Sequence, residues 1–280
     1  PESLVKMYEV LGRELKGRVA VKISTGESDK SNNLRPELIE ALVKKLNGTI
    51  VECGTAYGGN REDVHLHWQE IEKRGYKDIA VVDIMDEKGE FSISVENGFR
   101  LKENIVGEGL KNYDSVLILS HFKGHAMAGM GGALKNISIG IASTHGKSNI
   151  HSAGRTTDSK EVWKDLPEQD HFLESMADAC KAVIGHMGAE NMLYISVANR
   201  LSVDCDCDAN PAEPEMADLG IFASTDPVAL DQACYDAVIN SKDSGKAALI
   251  KRMDDRHAIH MVEACADHKL GSREYELITL

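Results

Sequence analysis

Long apolar runs are missing from this chain. No stretch approaches the ~18 residues that a membrane span needs, so no transmembrane helix is expected. Basic excess is missing too: 32 Lys+Arg stand against 45 Asp+Glu in 280 residues, a formal charge of −13. A surface that acidic repels nucleic-acid phosphates and anionic lipid heads, so neither nucleic acid nor membrane is an expected partner. Proline is scarce, at 6, and no Pro/Gly/Ser linker or internal repeat cuts the sequence. One domain over residues 1–280 is expected, with room for two lobes about a cleft. The opening residues, Pro1 to Lys6, lack the basic and apolar regions of a secretory signal. Six dispersed cysteines suit reduced thiols better than a disulfide scaffold, and a cytoplasmic location is expected. No C-x-x-C occurs anywhere, so the cysteine runs that hold cubane clusters are absent.

What is present is an alternation of helical and extended patterns. Pro36 to Leu46 puts Leu38, Ile39, Leu42, Val43 and Leu46 on one stripe, with Pro36 at the first turn and Gly48 at the stop. Residues 49–53 then read as a buried strand, 62–74 as a helix and 79–83 as a strand. The clearest apolar strand is 115–119. A helix over 171–184, strands over 192–197 and 219–223, and a helix capped by Asp226 with Pro227 at its first position follow. A late helix takes in 262–267, and 275–280 reads as a last strand. The expected class is α/β, a mainly parallel or mixed sheet with helices on both faces.

Candidate chemistry gathers in two places. Between Ser120 and His151 lie His121, Lys123, His125, Lys135, Asn136, His145, Lys147, Asn149 and His151, interleaved with glycines. Such a stretch after a buried strand favours a site over a merely flexible crossover. Its glycines match neither a Walker loop nor a dinucleotide fingerprint. The second place is Asp204-Cys-Asp-Cys-Asp208, where two thiols one residue apart can bind a soft or borderline metal or simply pack in a turn. Cys53 ends a strand beside Asn60 and Arg61 and is expected to line a pocket, whereas Cys180, Cys234 and Cys265 read as buried structural residues. His65 and His67 are expected to be solvated or to stand behind the site, and His257 and His260 to lie on the surface.

The segments Cys53–Arg61, His121–His125 with Gly131–Asn136, Gly146–His151, Asp204–Cys207 and Ala223–Gln232 resemble, in order, the motifs of the Fe–S-centre proteins that share domain of unknown function 362. Many members carry a ferredoxin-like insert after the third motif. Here 152–170 contains no cysteine, so a 4Fe–4S cluster is not expected from this chain alone. His125 with Ala128–Lys135 and Gly140–Ser143 is also similar to a pattern of lactate-racemase-like proteins, with Ile139 where those have proline. That likeness implies histidines and a lysine-anchored nickel-pincer cofactor that shuttle a hydride.

The expected function is therefore a metal-dependent enzyme acting on a small anionic metabolite, racemase-like or redox. His121, His125 and Lys135 are the candidate catalytic residues, and Lys123, Arg61, Asn60 and Asn136 the candidate substrate contacts. Cys205 and Cys207 with His121 and His125 would hold zinc, iron or nickel. The alternative is a non-enzymatic module that carries metal or an Fe–S cluster for a partner, and either version admits a homo-oligomer. Both readings require the histidines and the cysteine pair to meet in space.

Overall fold

The computed structural model of the chain describes all 280 residues. Six strands form one sheet in the spatial order 220–224, 192–198, 115–121, 19–22, 49–52 and 82–84. All adjacent pairs are parallel except the edge strand Gly220–Ser224, which runs antiparallel to Met192–Ala198. The expected α/β class is thus observed, with a mixed sheet of mostly parallel strands. No helix is long and apolar enough to cross a membrane.

Strand residues alternate between two cores, as the two-residue period requires. Val116, Ile118, Met192 and Tyr194 face the larger core, with the helices Ala133–Ile141, Gln169–Met187, Pro227–Asn240 and Ile259–Asp267. Leu117, Leu119, Leu193 and Ile195 face the smaller one, beneath Glu2–Val10 and Pro36–Leu46. The helix Pro36–Leu46 has the expected bounds, and Asp226 caps Pro227–Asn240 by accepting from the backbone N–H groups of Val228 and Ala229.

Two expectations need correction, and one strand was not foreseen. Residues 275–280 form no strand and belong to no sheet; an apolar pattern without a partner edge makes no ladder. Residues 76–79 make one helical turn, so the strand expected over 79–83 is Val82–Ile84. The strand Val19–Lys22, at the centre of the sheet, carries no alternating signature because all four residues are buried.

Candidate functional site

Three parallel strands end on the same edge of the sheet. Ser115–His121 delivers Ser120 and His121, Val19–Lys22 delivers Lys22, and Thr49–Glu52 delivers Glu52 followed by Cys53. A small antiparallel pair, Lys123–His125 with Gly129–Gly131, then turns the chain into Ala133–Ile141, which carries Lys135 and Asn136. The helix Thr144–His151 adds Lys147 and His151. Together these surround a small cleft, with a cavity volume of about 100 Å³.

Close backbone approach brings the distant segments together. The Gly124 N–H donates to Ser202 O at 2.8 Å, and a Cβ on Gly124 would lie 2.3 Å from the Val203 carbonyl oxygen. Glycine there lets the loop with Cys205, Asp206 and Cys207 close the cleft beside His125. Across the cleft, Asp231 accepts from the N–H groups of Ala133 and Leu134, both at 2.8 Å, and fixes the helix that carries Lys135.

Most charges here are paired. Lys22 meets Glu52 at 2.6 Å, Arg61 meets Glu27 at 2.9 Å and Glu52 at 3.3 Å, and Lys123 meets Asp206 at 2.9 Å. Burial alone would raise Glu52, but Lys22 and Arg61 outweigh it and hold the carboxylate at about 2. Burial opposes ionisation of Asp206 too, yet His121 and Lys123 hold it well below the usual carboxylate range. Two cations have no carboxylate partner. Lys147 donates to the Ala142 carbonyl, and burial lowers its pKa. Lys135 lines the cleft with neither an ion pair nor a hydrogen bond; burial, reinforced by Lys123, Arg61 and Lys22 against Asp206, brings it down to about 7.

The three cleft histidines differ in what their nitrogens can do. His121 Nδ1 faces Asp206 Oδ1 at 2.8 Å and its Nε2 faces Asn199 O at 2.6 Å, so both nitrogens are committed as donors. No lone pair is left there for a metal, and the ring acts as a brace. His125 Nδ1 accepts from Met127 N at 3.1 Å and Ala128 N at 2.9 Å, which puts its hydrogen on Nε2. His151 Nδ1 donates to Lys147 O at 2.8 Å, which leaves Nε2 with a bare lone pair. Burial first, then neighbouring cations, lowers His125 well below its ordinary value. Burial likewise takes His151 down to about 4, against the hydrogen bond to Lys147 O. Near neutrality the cleft therefore holds one neutral imidazole that donates and one that accepts.

His125, Cys205 and Cys207 have donor atoms within 4.8 Å of one another, close enough to hold one metal ion. The two sulfurs are joined as a disulfide, and the His125 nitrogen nearest them, 3.9 Å from Cys207 Sγ, is the one that carries hydrogen. An ion at this place requires reduction of the pair and a change of imidazole tautomer. His151 Nε2 requires neither.

Of the expected substrate contacts, Lys123, Arg61 and Asn136 line the cleft and Asn60 does not. The Asn60 side chain is exposed and bound to Glu70. Arg61 is spent on Glu27, Glu52 and Tyr57, and the Asn136 amide on Lys22, Leu119 and Ser120. His67, expected to be solvated or to stand behind the site, is fully buried with Nε2 3.4 Å from Thr25 Oγ1. Sequence reasoning gave no role to Lys22, Glu52, Glu27 or Trp163. The available signal was a lone lysine and a lone glutamate at the ends of two short buried strands, where an unpaired charge is too costly to keep.

The model of the family described as domain of unknown function 362 matches residues 19–236. No curated protein matches by sequence. The lactate racemase apoprotein from Thermoanaerobacterium thermosaccharolyticum superposes with a TM-score of 0.50 at 14% identity, covering 82% of this chain and 50% of that one. A protein from Thermotoga maritima superposes with a TM-score of 0.44 at 12% identity, over 84% of this chain and 57% of its own. The likeness to the racemase is one of fold, and the chain spans about half of that protein's length.

Proposed function

The chain belongs to the family of domain of unknown function 362, and for this member we propose a racemase-like enzyme whose cleft handles a small carboxylate metabolite. Two amines without carboxylate partners, the buried Lys147 and the half-buried Lys135, carry the reading, because an uncompensated cation in such a place is costly unless an anion arrives. His125 supplies a hydrogen-bond donor through its Nε2–H, and His151 a bare nitrogen. In the pose this supports, Lys147 faces the carboxylate and the Nε2–H of His125 polarises the oxygen on the neighbouring carbon. Lys123 and Arg61, held by Asp206, Glu27 and Glu52, keep the walls rigid rather than gripping substrate.

The resemblance to lactate-racemase-like proteins implies a lysine-anchored nickel cofactor, and residues of this cleft fit one. Lys135 offers an amine that is about half unprotonated near pH 7, and His151 offers a bare nitrogen. Those two residues would hold the group, which when bound supplies an acceptor for a hydride.

Single enantiomers of a panel of 2-hydroxy acids, incubated with protein purified without chelator, test the proposal alongside elemental analysis and thermal shift. Loss of optical purity is expected, abolished by Lys135→Met and by His125→Asn. Thermal shift should also register carboxylate binding that Lys147→Met weakens at least tenfold. If no mono- or dicarboxylate in the panel shifts the melting temperature and metal-bearing protein leaves every enantiomer unchanged, the proposal fails.

A further inference from the structure

Cys205 and Cys207 form a disulfide in the wall of a cleft that also holds two uncompensated ammonium groups, an arrangement that metabolite racemisation does not use. We propose that this pair is a thiol–disulfide exchange centre that reacts with small thiols bearing carboxylates. The proposal goes beyond the racemase-like reading and shares with it the cationic lining of the cleft and the Nε2–H of His125.

The two sulfurs are not equivalent. Cys205 is 5% exposed, whereas Cys207 is partly open to solvent, so an entering thiolate reaches Cys207 Sγ. Cys205 Sγ is the leaving group, and the backbone N–H of Cys207 already points at it from 3.2 Å, ready to hold the thiolate. A second thiol then attacks the mixed disulfide at the small molecule's own sulfur and releases Cys207 Sγ, 3.9 Å from the Nε2–H of His125. Two sulfur–sulfur bonds form in sequence and two break. Two small thiols are oxidised to one small disulfide, the protein pair is reduced, and the two thiol protons pass to its sulfurs.

Selectivity comes from the lining. Lys147 and Lys135 stand unpaired on the helices that face the pair, so a carboxylate on the thiol gains an attraction that an ammonium on the thiol loses. Cys180, Cys234 and Cys265 are fully buried and Cys53 is 1% exposed, so they do not compete.

The full oxidised chain is treated with 3-mercaptopropionate, 2-mercaptoethanol or cysteamine, and loss of the Cys205–Cys207 disulfide is followed by alkylation and peptide mass. Rates are compared per thiolate. The anionic thiol is expected to exceed the cationic one at least tenfold, to saturate, and to be slowed by malonate, while cysteamine is unaffected by malonate. Lys147→Met should remove the saturation, and the malonate arm gives the same information if that variant does not fold. Recovery of the pair as free thiols after oxidation with diamide overturns the proposal. So do rates within twofold for all three thiols, without saturation. The readout needs neither metal nor turnover, so it stands or falls separately from the racemase-like reading.

Discussion

Lys135 and His151 govern the pH behaviour of the cleft, in different windows. The folded value of Lys135 is about 7 against an ordinary 10.5, so below pH 7 the folded chain carries the full cost of a charged, unpaired amine. Between pH 7 and 10.5 only the unfolded chain keeps that proton, and stability is recovered as pH rises. Lys135→Met should therefore be more stable than the wild type at pH 6, by on the order of 2 kcal/mol after allowance for partial solvent contact, with the gap closing by pH 10. Urea unfolding at the two pH values checks this. His151 behaves as a depressed base: its contribution is complete above 6.5 and is lost as pH falls towards 4. Replacing it by Gln should flatten the loss of stability between pH 7 and 4, by about 2–3 kcal/mol. Nitrogen NMR at pH 6 should find His125 protonated at Nε2 and His151 at Nδ1, both neutral. The reverse tautomers would remove the donor–acceptor pair from the mechanism.

The helix Ala133–Ile141 is the element on which the site depends, and its start is held by a carboxylate from another helix. A Cβ on Gly132 would lie 2.5 Å from Asp231 Oδ1, so Gly132→Ala and Asp231→Ala damage the same cap. Each should cost about 1–3 kcal/mol, and the double variant should cost clearly less than the sum, which a thermodynamic cycle measures. The sequence signals for this element were incomplete. Gly131-Gly132 and Lys135 were legible as a site feature, but the Asp231 partner lies almost a hundred residues away. Legibility followed locality throughout. Pro36–Leu46 carries its start, stripe and stop within its own residues, whereas Val19–Lys22 is a strand only because Ala20 pairs with both Thr49 and Val116. Conversely, 275–280 has a strand's composition and no edge to join.

At the scale of the molecule, an acidic chain of net charge −13 surrounds a hollow in which five Lys and Arg side chains meet two carboxylates, Glu52 and Asp206. Composition made the acidic exterior plain and hid the hollow, because a sum over residues has no positions. Binding of small dicarboxylates such as malonate is therefore expected to weaken with salt. Of the two tryptophans, Trp163 lines the cleft, donates to Ala56 O at 2.8 Å and lies edge-on to His151, with ring centroids 5.2 Å apart. Malonate should shift its fluorescence, and Trp163→Phe should abolish the shift while Trp68→Phe leaves it. A response surviving Trp163→Phe would place the ligand elsewhere. The meeting of His125 with Cys205 and Cys207 was expected from their chemistry, but what permits it was not legible, since it depends on Gly124 admitting the backbone of Val203.

The lone amines of Lys135 and Lys147 have a consequence for the lifetime of the protein. An empty hollow keeps like charges in mutual repulsion, and an arriving anion relieves it, so occupancy and resistance to unfolding rise together. A cell short of the metabolite would hold the chain in its weaker state, more open to proteases. Abundance would then track supply, with no regulator beyond the hollow itself.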